Sequence, residues 1–261
     1  MKAYITLLGT NSYFDGVLGL YQSLKDTGAH YPFVVAVTPN ISIKMREALK
    51  ALEIEVIEVS SFEYNKTLQK KNIAMGMPHW NGTMGKFSLF GLEQFEKLVY
   101  LDCDMLVLHN LDHLFEKPHL AAAPDSPMCS EEPPEIETHK QLNAGLIVIE
   151  PSIKMKEDLV NISLTYNAQD QDALRIYCPD WVKKEELHLP QEYNVFASFW
   201  EKYKKSGMNP ENVMVVHFIG LNKPWMDFML HSNNAYIQLW TRQYLSSIIR
   251  AHNELEKKFD F

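Results

Sequence analysis

Residues 97–104 read Lys-Leu-Val-Tyr-Leu-Asp-Cys-Asp, an apolar run that leads directly into two acidic residues. The run from Lys97 to Leu101 predicts a buried strand. Side chains two positions apart in extended backbone point the same way, so Asp102 and Asp104 can direct their carboxylates to one point at the strand end. In open α/β sheets that edge binds ligands, and two hard oxygen donors suit Mn²⁺ or Mg²⁺. An Asp-x-Asp triplet also occurs by chance in solvated turns. Further motifs elsewhere in the chain are therefore needed to distinguish a metal site from such a turn.

Strand and helix patterns alternate on the N-terminal side of this stretch. Apolar runs predict strands over residues 3–8, 33–37 and 54–59. Apolar residues at helical spacing predict helices over residues 16–25, 41–52 and 84–95. Strands that alternate with helices form right-handed crossovers and a mostly parallel, doubly wound sheet. We therefore predict a single α/β domain, with a Rossmann-like sheet flanked by helices.

On the C-terminal side the alternation loosens. Short apolar runs predict strands over residues 105–108, 120–123, 144–149 and 213–218. Residues 126–140, with two prolines and several glutamates, predict an exposed loop. A loop of this length is typical of a lid or an acceptor-binding element, and a disordered insertion would show the same pattern.

An amphipathic helix is predicted over residues 235–256, where apolar residues recur every three or four positions. We divide the chain into an α/β domain over residues 1–230 and a C-terminal helical segment over residues 231–261 that packs back onto it. A homodimer contact is the second interpretation of this helix. Membrane contact is the weakest of the three, because its polar face is not strongly basic.

The composition limits the classes of function. The 261 residues, 46% of them hydrophobic, suit one large domain. The net charge of −8 argues against a nucleic-acid binder, since affinity for phosphate backbones comes from clustered Lys and Arg. No stretch approaches the ~20 apolar residues that span a bilayer. Three scattered cysteines suit reduced thiols, which predicts a cytoplasmic location.

A second apolar strand, predicted over residues 213–218, carries His217 near its end. A lone histidine at a strand end is usually only a satisfied polar residue. Beside two carboxylates, however, it would complete a nitrogen and oxygen donor set that favours Mn²⁺ over Mg²⁺. The following loop, with Gly220 and Lys223, could wrap a diphosphate.

Short motifs run in order through residues 3–225. They are Ala3-Tyr4-Ile5-Thr6-Leu7 with Tyr13 and Gly16, Tyr31 to Val37, Lys86, Tyr100 to Asp104, Asn143-Ala144-Gly145, Asp170-Gln171, Leu189-Pro190 with Tyr193-Asn194, and His217 to Gly220 with Lys223-Pro224-Trp225. This series resembles glycosyltransferase family 8, the family that contains glycogenin and galactinol synthase. The resemblance implies a GT-A type fold and a retaining, Mn²⁺-dependent transfer of glucose or galactose from a UDP-sugar to a small-molecule or glycan acceptor.

The resemblance also implies roles for individual residues. The loop that holds uracil and ribose would consist of Leu7, Leu8, Gly9, Thr10, Asn11 and Tyr13, with Tyr13 stacked on the base. Asp102, Asp104 and His217 resemble metal ligands, with Cys103 between the two acids in the donor site, and Gly220 with Lys223 resembles a diphosphate clamp. The residues around the transferred sugar would be Lys86, Asp125, Asn143, Ala144, Gly145, Asp170 and Gln171, of which Lys86, Asp125, Asp170 and Gln171 are the candidate catalytic residues.

Each of these assignments has a plainer interpretation. Tyr13 could be an ordinary buried aromatic residue, and Lys86 a charge on the surface of a helix. Asn143 and Gly145 could form a turn before a strand. Asp170 could simply begin a helix, where aspartate is favoured.

Three further activities are compatible with the same motifs. Asn167 stands where glycogenin has an aspartate near the acceptor, which counts against a self-glycosylating primer without excluding it. A sugar-nucleotide hydrolase would need the same donor site. A non-catalytic nucleotide-sugar sensor would bind the donor and the metal without turnover.

Overall fold

The computed structural model describes residues 1–60, 66–74, 76, 85–125, 141–226 and 233–258. Its strands are β1 (Lys2–Leu8), β2 (Phe33–Val37), β3 (Glu55–Glu58), β4 (Lys97–Leu101), β5 (Met105–Val107), β6 (Ala122–Pro124), β7 (Leu142–Ile149), β8 (Val195–Phe196) and β9 (Val215–His217). Its helices are α1 (Phe14–Asp26), α2 (Ile43–Ala51), α3 (Lys66–Ala74), α4 (Lys86–Leu89), α5 (Ile153–Tyr166), α6 (Asp170–Tyr177), α7 (Trp200–Lys205) and α8 (Ala235–Lys258).

Within these ranges a six-stranded sheet has the order β3-β2-β1-β4-β7-β6. The strands β1 to β4 pair in parallel, whereas β7 is antiparallel to both β4 and β6. The mostly parallel sheet predicted from the sequence is therefore confirmed, with an antiparallel strand near one edge.

A smaller sheet has the order β5-β9-β8. Only residues 102–104 separate β4 of the large sheet from β5 of the small one. The chain thus passes from one sheet to the other through Asp102 and Asp104. Met105 pairs with His217 in the antiparallel register of β5 and β9, which brings the end of β9 beside the acidic pair.

Two apolar layers cover the faces of the large sheet. Strand β1 is buried along almost its whole length, and its side chains alternate between the layers, with Tyr4 and Leu8 on one face and Ile5 and Leu7 on the other. Helices α1, α2 and α8 pack on the first face, and α3 to α6 on the second. Burial on both faces explains why these strands read as continuous apolar runs.

Helix α8 lies against α1. Close approach requires the glycine at position 19, since a Cβ atom there would lie 2.8 Å from the ring of Tyr244. The hydroxyl of Tyr244 is buried between the carbonyl oxygens of Gly16 at 2.9 Å and Cys103 at 2.6 Å. The C-terminal helix therefore contacts the segment that carries the acidic pair.

The helix expected over residues 84–95 is shorter than predicted. Within the described residues it comprises only α4, after which the carbonyl of Phe90 accepts a hydrogen bond from Ser152 N at 2.6 Å. A Cβ atom on Gly91 would lie 2.7 Å from the side chain of Lys156 in α5. Packing against α5 therefore ends the helix, which local apolar spacing cannot reveal.

Two expectations fall on residues that are not described. They are the loop over residues 126–140 and the domain boundary at residues 230 and 231, which both stay predictions. In the described ranges, no helix combines the length and the apolar content needed to cross a bilayer. Cys103 and Cys178 are free thiols.

Candidate active site

Asp102, Asp104 and His217 converge at the junction of the two sheets. One ligand atom from each lies within 4.8 Å of the others. The Nε2 atom of His217 is 3.2 Å from Asp104 Oδ1 and 3.8 Å from Asp102 Oδ2. Two carboxylates and one imidazole so close together form a donor set that fits a divalent transition-metal ion.

The carboxylate of Asp104 is buried beside two basic side chains, Lys223 and His217. Burial alone would raise its pKa, but the charge of Lys223 and the neighbouring His217 hold the pKa well below its usual range. The Lys223 ammonium lies 2.5 Å from Asp104 Oδ2 and donates to the carbonyl of Phe218 at 2.9 Å. A fixed cation thus stands beside the candidate metal ligands.

Lys86 is a buried cation on the opposite side of the acidic pair. Its ammonium lies 2.7 Å from Asp170 Oδ2 and 3.2 Å from Asp102 Oδ1, and it donates to the carbonyl of Ala144 at 3.2 Å. Burial alone would lower its pKa, but Asp102 and Asp170 raise the pKa above its ordinary value. The interpretation of Lys86 as a surface helix charge is therefore wrong.

These groups surround a cavity of about 530 Å³. The predicted residues that line it are Leu7, Gly9, Thr10, Tyr13, Lys86, Asp102, Cys103, Asp104, Asn143, Ala144, Gly145, Asp170, Gln171, His217, Gly220 and Lys223. The cavity lies at the carboxyl ends of β1 and β4, where open α/β sheets bind their ligands.

The sequence profile of the family described as Glycosyl transferase family 8 matches residues 4–228. The chain belongs to glycosyltransferase family 8. Glycogenin-1 of Oryctolagus cuniculus is 32% identical to it over 238 residues, which cover 86% of this chain and 65% of the rabbit protein. Galactinol synthase 6 of Arabidopsis thaliana is 29% identical over 258 residues, which cover 86% of this chain and 73% of the plant protein. The chain thus spans less than two thirds of the length of the rabbit glycogenin.

Solved structures show the fold. The galactosyltransferase LgtC, in complex with donor and acceptor sugar analogues, superposes with a TM-score of 0.66 at 17% identity. The likeness covers 94% of this chain and 96% of LgtC. The GT-A type fold predicted from the sequence is confirmed.

Three residues expected in the donor site of this family 8 chain do not line the cavity. Leu8 is fully buried in the opposite layer, because it follows Leu7 on a strand and side chains alternate. Asn11 accepts a hydrogen bond from Ser42 N at 3.1 Å at the start of α2. Asp125 lies behind Asn143, whose Nδ2 donates to Asp125 Oδ1 at 3.0 Å.

Asp125 is held in that position by a salt bridge. Arg175 Nη2 lies 2.6 Å from Asp125 Oδ2 and Arg175 Nε donates to the carbonyl of Leu142 at 3.0 Å. Among the described residues, Asp125 contacts two that line the cavity, Asn143 and Gln171.

Four residues line the cavity without having been predicted, namely Tyr100, Gln169, Asp172 and Ile219. Tyr100 donates its hydroxyl hydrogen to Asp102 Oδ1. Its position near the end of β4, two residues before Asp102, was a usable signal, since side chains two positions apart in extended backbone share a face. Gln169, Asp172 and Ile219 reach the cavity through the positions of α6 and the loop after β9, which sequence spacing does not define.

The far end of the cavity is aromatic. The rings of Tyr13 and Trp225 meet edge to face with centroids 5.6 Å apart, and Trp225 Nε1 donates to Ser12 O at 3.1 Å. Lys223 Nζ lies 5.7 Å from the centre of the Tyr13 ring. A half-buried ring beside a fixed cation is a suitable surface for a nucleotide base that leads into a diphosphate.

Proposed function

We propose that the chain is a retaining hexosyltransferase, which moves glucose or galactose from a UDP-sugar to a small-molecule or glycan acceptor and depends on Mn²⁺. The observation that carries the proposal is the convergence of Asp102, Asp104 and His217 on one cavity that also contains two buried lysines. The similarity of the chain to glycogenin-1 and to galactinol synthase 6 supports a sugar-transfer reaction of this kind.

Asp102, Asp104 and His217 would hold the metal ion. A divalent cation bound there supplies a positive charge that stabilises the diphosphate as it departs. The imidazole nitrogen in the donor set is the reason to propose Mn²⁺, with Mg²⁺ as the weaker alternative.

Lys223 supplies a second positive charge at the diphosphate end. Its ammonium is held by Asp104 and by the carbonyl of Phe218, so it is already oriented before a substrate arrives. Negative charge grows on the diphosphate as the sugar bond breaks, and a fixed cation stabilises that charge more in the transition state than in the ground state. Gly220, at a φ of 89°, lets the intervening loop turn beside the cavity.

Asp170 and Gln171 line the part of the cavity, near Lys86 and Ala144, where the transferred sugar would bind. Gln171 Oε1 accepts a hydrogen bond from Ala144 N at 3.0 Å, and Asp170 pairs with Lys86. Both residues thus present oriented oxygen atoms at the start of α6. We assign them to stabilising the positive charge that develops on the sugar, with Lys86 positioning Asp170.

The test is a turnover assay on the full chain. UDP release is measured with UDP-glucose and UDP-galactose, with Mn²⁺ or EDTA, against inositol, simple sugars and oligosaccharides, and the products are identified by mass spectrometry. We expect acceptor-dependent release that requires the metal and is abolished in Asp104→Asn. Asp180→Asn is the matched control, since that carboxylate is exposed and pairs only with Lys183 at 3.1 Å among the described contacts.

The three competing activities give distinct results in the same assay. Release at the full rate without an acceptor would indicate a hydrolase. A gain of one hexose mass on the protein itself would indicate a self-glycosylating primer. Binding without turnover would indicate a sensor. The cytoplasmic location and the homodimer stay proposals that rest on the sequence.

A further inference from the structure

Asn194 lies directly behind the metal-ligand cluster. It precedes β8, is fully buried and does not line the cavity. Its side chain bridges two cavity residues, because Nδ2 donates to Asn143 Oδ1 at 2.7 Å and Oδ1 lies 2.9 Å from His217 Nδ1. The buried amide of Asn194 therefore contacts His217, a proposed metal ligand, and Asn143, a residue expected beside the transferred sugar.

The backbone fixes the direction of each hydrogen bond in this chain. Gly145 N can only donate, and it donates to Asn143 Oδ1 at 2.9 Å, which identifies that atom as the oxygen. The group of Asn194 that faces this oxygen must be its NH₂ group. The oxygen of Asn194 consequently faces His217, and it can only accept.

It follows that Nδ1 of His217 carries the hydrogen. In a neutral imidazole the lone pair is then on Nε2, the nitrogen that lies 3.2 Å from Asp104 Oδ1. Partners on the non-ligating nitrogen commonly set the tautomer and ring orientation of a metal-binding histidine. Here that partner is itself anchored, through Asn143, to the carboxylate of Asp125 at 3.0 Å.

We propose that Asn194 is a positioning residue, which fixes the tautomer and orientation of His217 for metal binding and connects this ligand to Asn143 at the sugar end. The inference rests on the proposed function, since it requires His217 to be a metal ligand. The expected loss on removing the hydrogen bond to His217 is about 10- to 100-fold in Mn²⁺ affinity.

The experiment measures Mn²⁺ binding without turnover. Full-length protein is titrated with MnCl₂ in the presence of UDP, and free Mn²⁺ is followed by electron paramagnetic resonance. In Asn194→Leu, which removes the acceptor, we expect the loss of affinity. In Asn194→Asp one oxygen still accepts from His217 Nδ1, but the other faces Asn143 Oδ1 with no hydrogen to donate, so we expect a smaller loss of affinity than in Asn194→Leu.

Two further variants separate the possible failures. Ser247→Ala removes a buried hydroxyl of α8 that does not line the cavity, and should leave Mn²⁺ affinity unchanged. Equal Mn²⁺ binding by the wild type and His217→Ala would refute both the proposed metal site and the role of Asn194. Weak binding by His217→Ala together with wild-type binding by Asn194→Leu would refute the role of Asn194 alone. If Asn194→Leu does not fold, the Mn²⁺ affinity of Asn194→Asp is the deciding measurement. A loss of affinity in Asn194→Asp as large as that in His217→Ala would overturn the proposal.

Discussion

Gly145→Ala should impair the metal site by a purely steric route. A Cβ atom at this position would lie 2.9 Å from His217 Cε1, 2.8 Å from Met105 Cε and 3.1 Å from Asn143 Oδ1. The backbone of Gly145 is not among the positive-φ positions, so alanine adds no conformational strain there. Met105 can move its terminal methyl group, whereas the imidazole is held between Asn194 and the acidic pair.

The displacement can be worked from these distances. Carbon atoms in ordinary contact are about 3.5 Å apart or more, so the ring has to move by roughly 0.6 Å. Functional geometry tolerates errors of only about 0.5 Å. We therefore expect Mn²⁺ affinity to fall about 10- to 100-fold, as for loss of a residue that supports a metal ligand.

Gly207→Ala is the matched control. Gly207 has a φ of 93° and no neighbouring atoms within 4 Å of an added Cβ, so alanine there strains the backbone by roughly 1–2 kcal/mol without touching the site. Both variants are assayed by Mn²⁺ titration with UDP and by thermal denaturation. Wild-type Mn²⁺ affinity in Gly145→Ala would refute the assigned position of His217.

Three other changes test separate parts of the structure. Lys86→Met removes the buried cation between Asp102 and Asp170, and UDP release at saturating Mn²⁺ should fall by about 10²-fold; an unchanged rate would exclude a role for Lys86 in the reaction. Tyr244→Phe deletes the buried hydroxyl between Gly16 and Cys103, which should lower the free energy of unfolding by about 1–2 kcal/mol in urea titrations, more than the partly exposed Tyr236→Phe. Burial lowers the pKa of His119 in the folded protein, so the unfolded chain takes up the proton first and the free energy of unfolding should decline as the pH falls below about 6.5. His119→Asn should make the free energy of unfolding less dependent on pH between 7.5 and 5.5. The same pH dependence in the variant and the wild type would refute this role of His119.

The sequence predicted the large sheet well because its strands are covered on both faces. Short runs of mostly apolar residues, such as Phe33–Val37 and Leu98 to Leu101, are typical of buried parallel strands. The acidic pair was visible for the same reason, since it directly follows such a run. The convergence of His217 with it was an expectation from family resemblance, and the register of β5 and β9 now accounts for it.

What the sequence could not supply depends on contacts between distant segments. Lys86 can be buried because its charge is neutralised by the carboxylates of Asp102 and Asp170, which lie 16 and 84 positions away along the chain. Asp125 was expected in the sugar site from the family resemblance, but Arg175 holds it behind Asn143. The role inferred for Asn194 depends on two hydrogen bonds across the fold, and no spacing rule predicts them.

The most direct test of the proposed metal centre is the position of the ion itself. Crystals of the full chain with MnCl₂ and UDP would be measured above the manganese absorption edge to locate the anomalous scatterer. We predict one peak in coordination contact with carboxylate oxygens of Asp102 and Asp104 and with His217 Nε2. A peak that these three side chains do not share would contradict the proposed site.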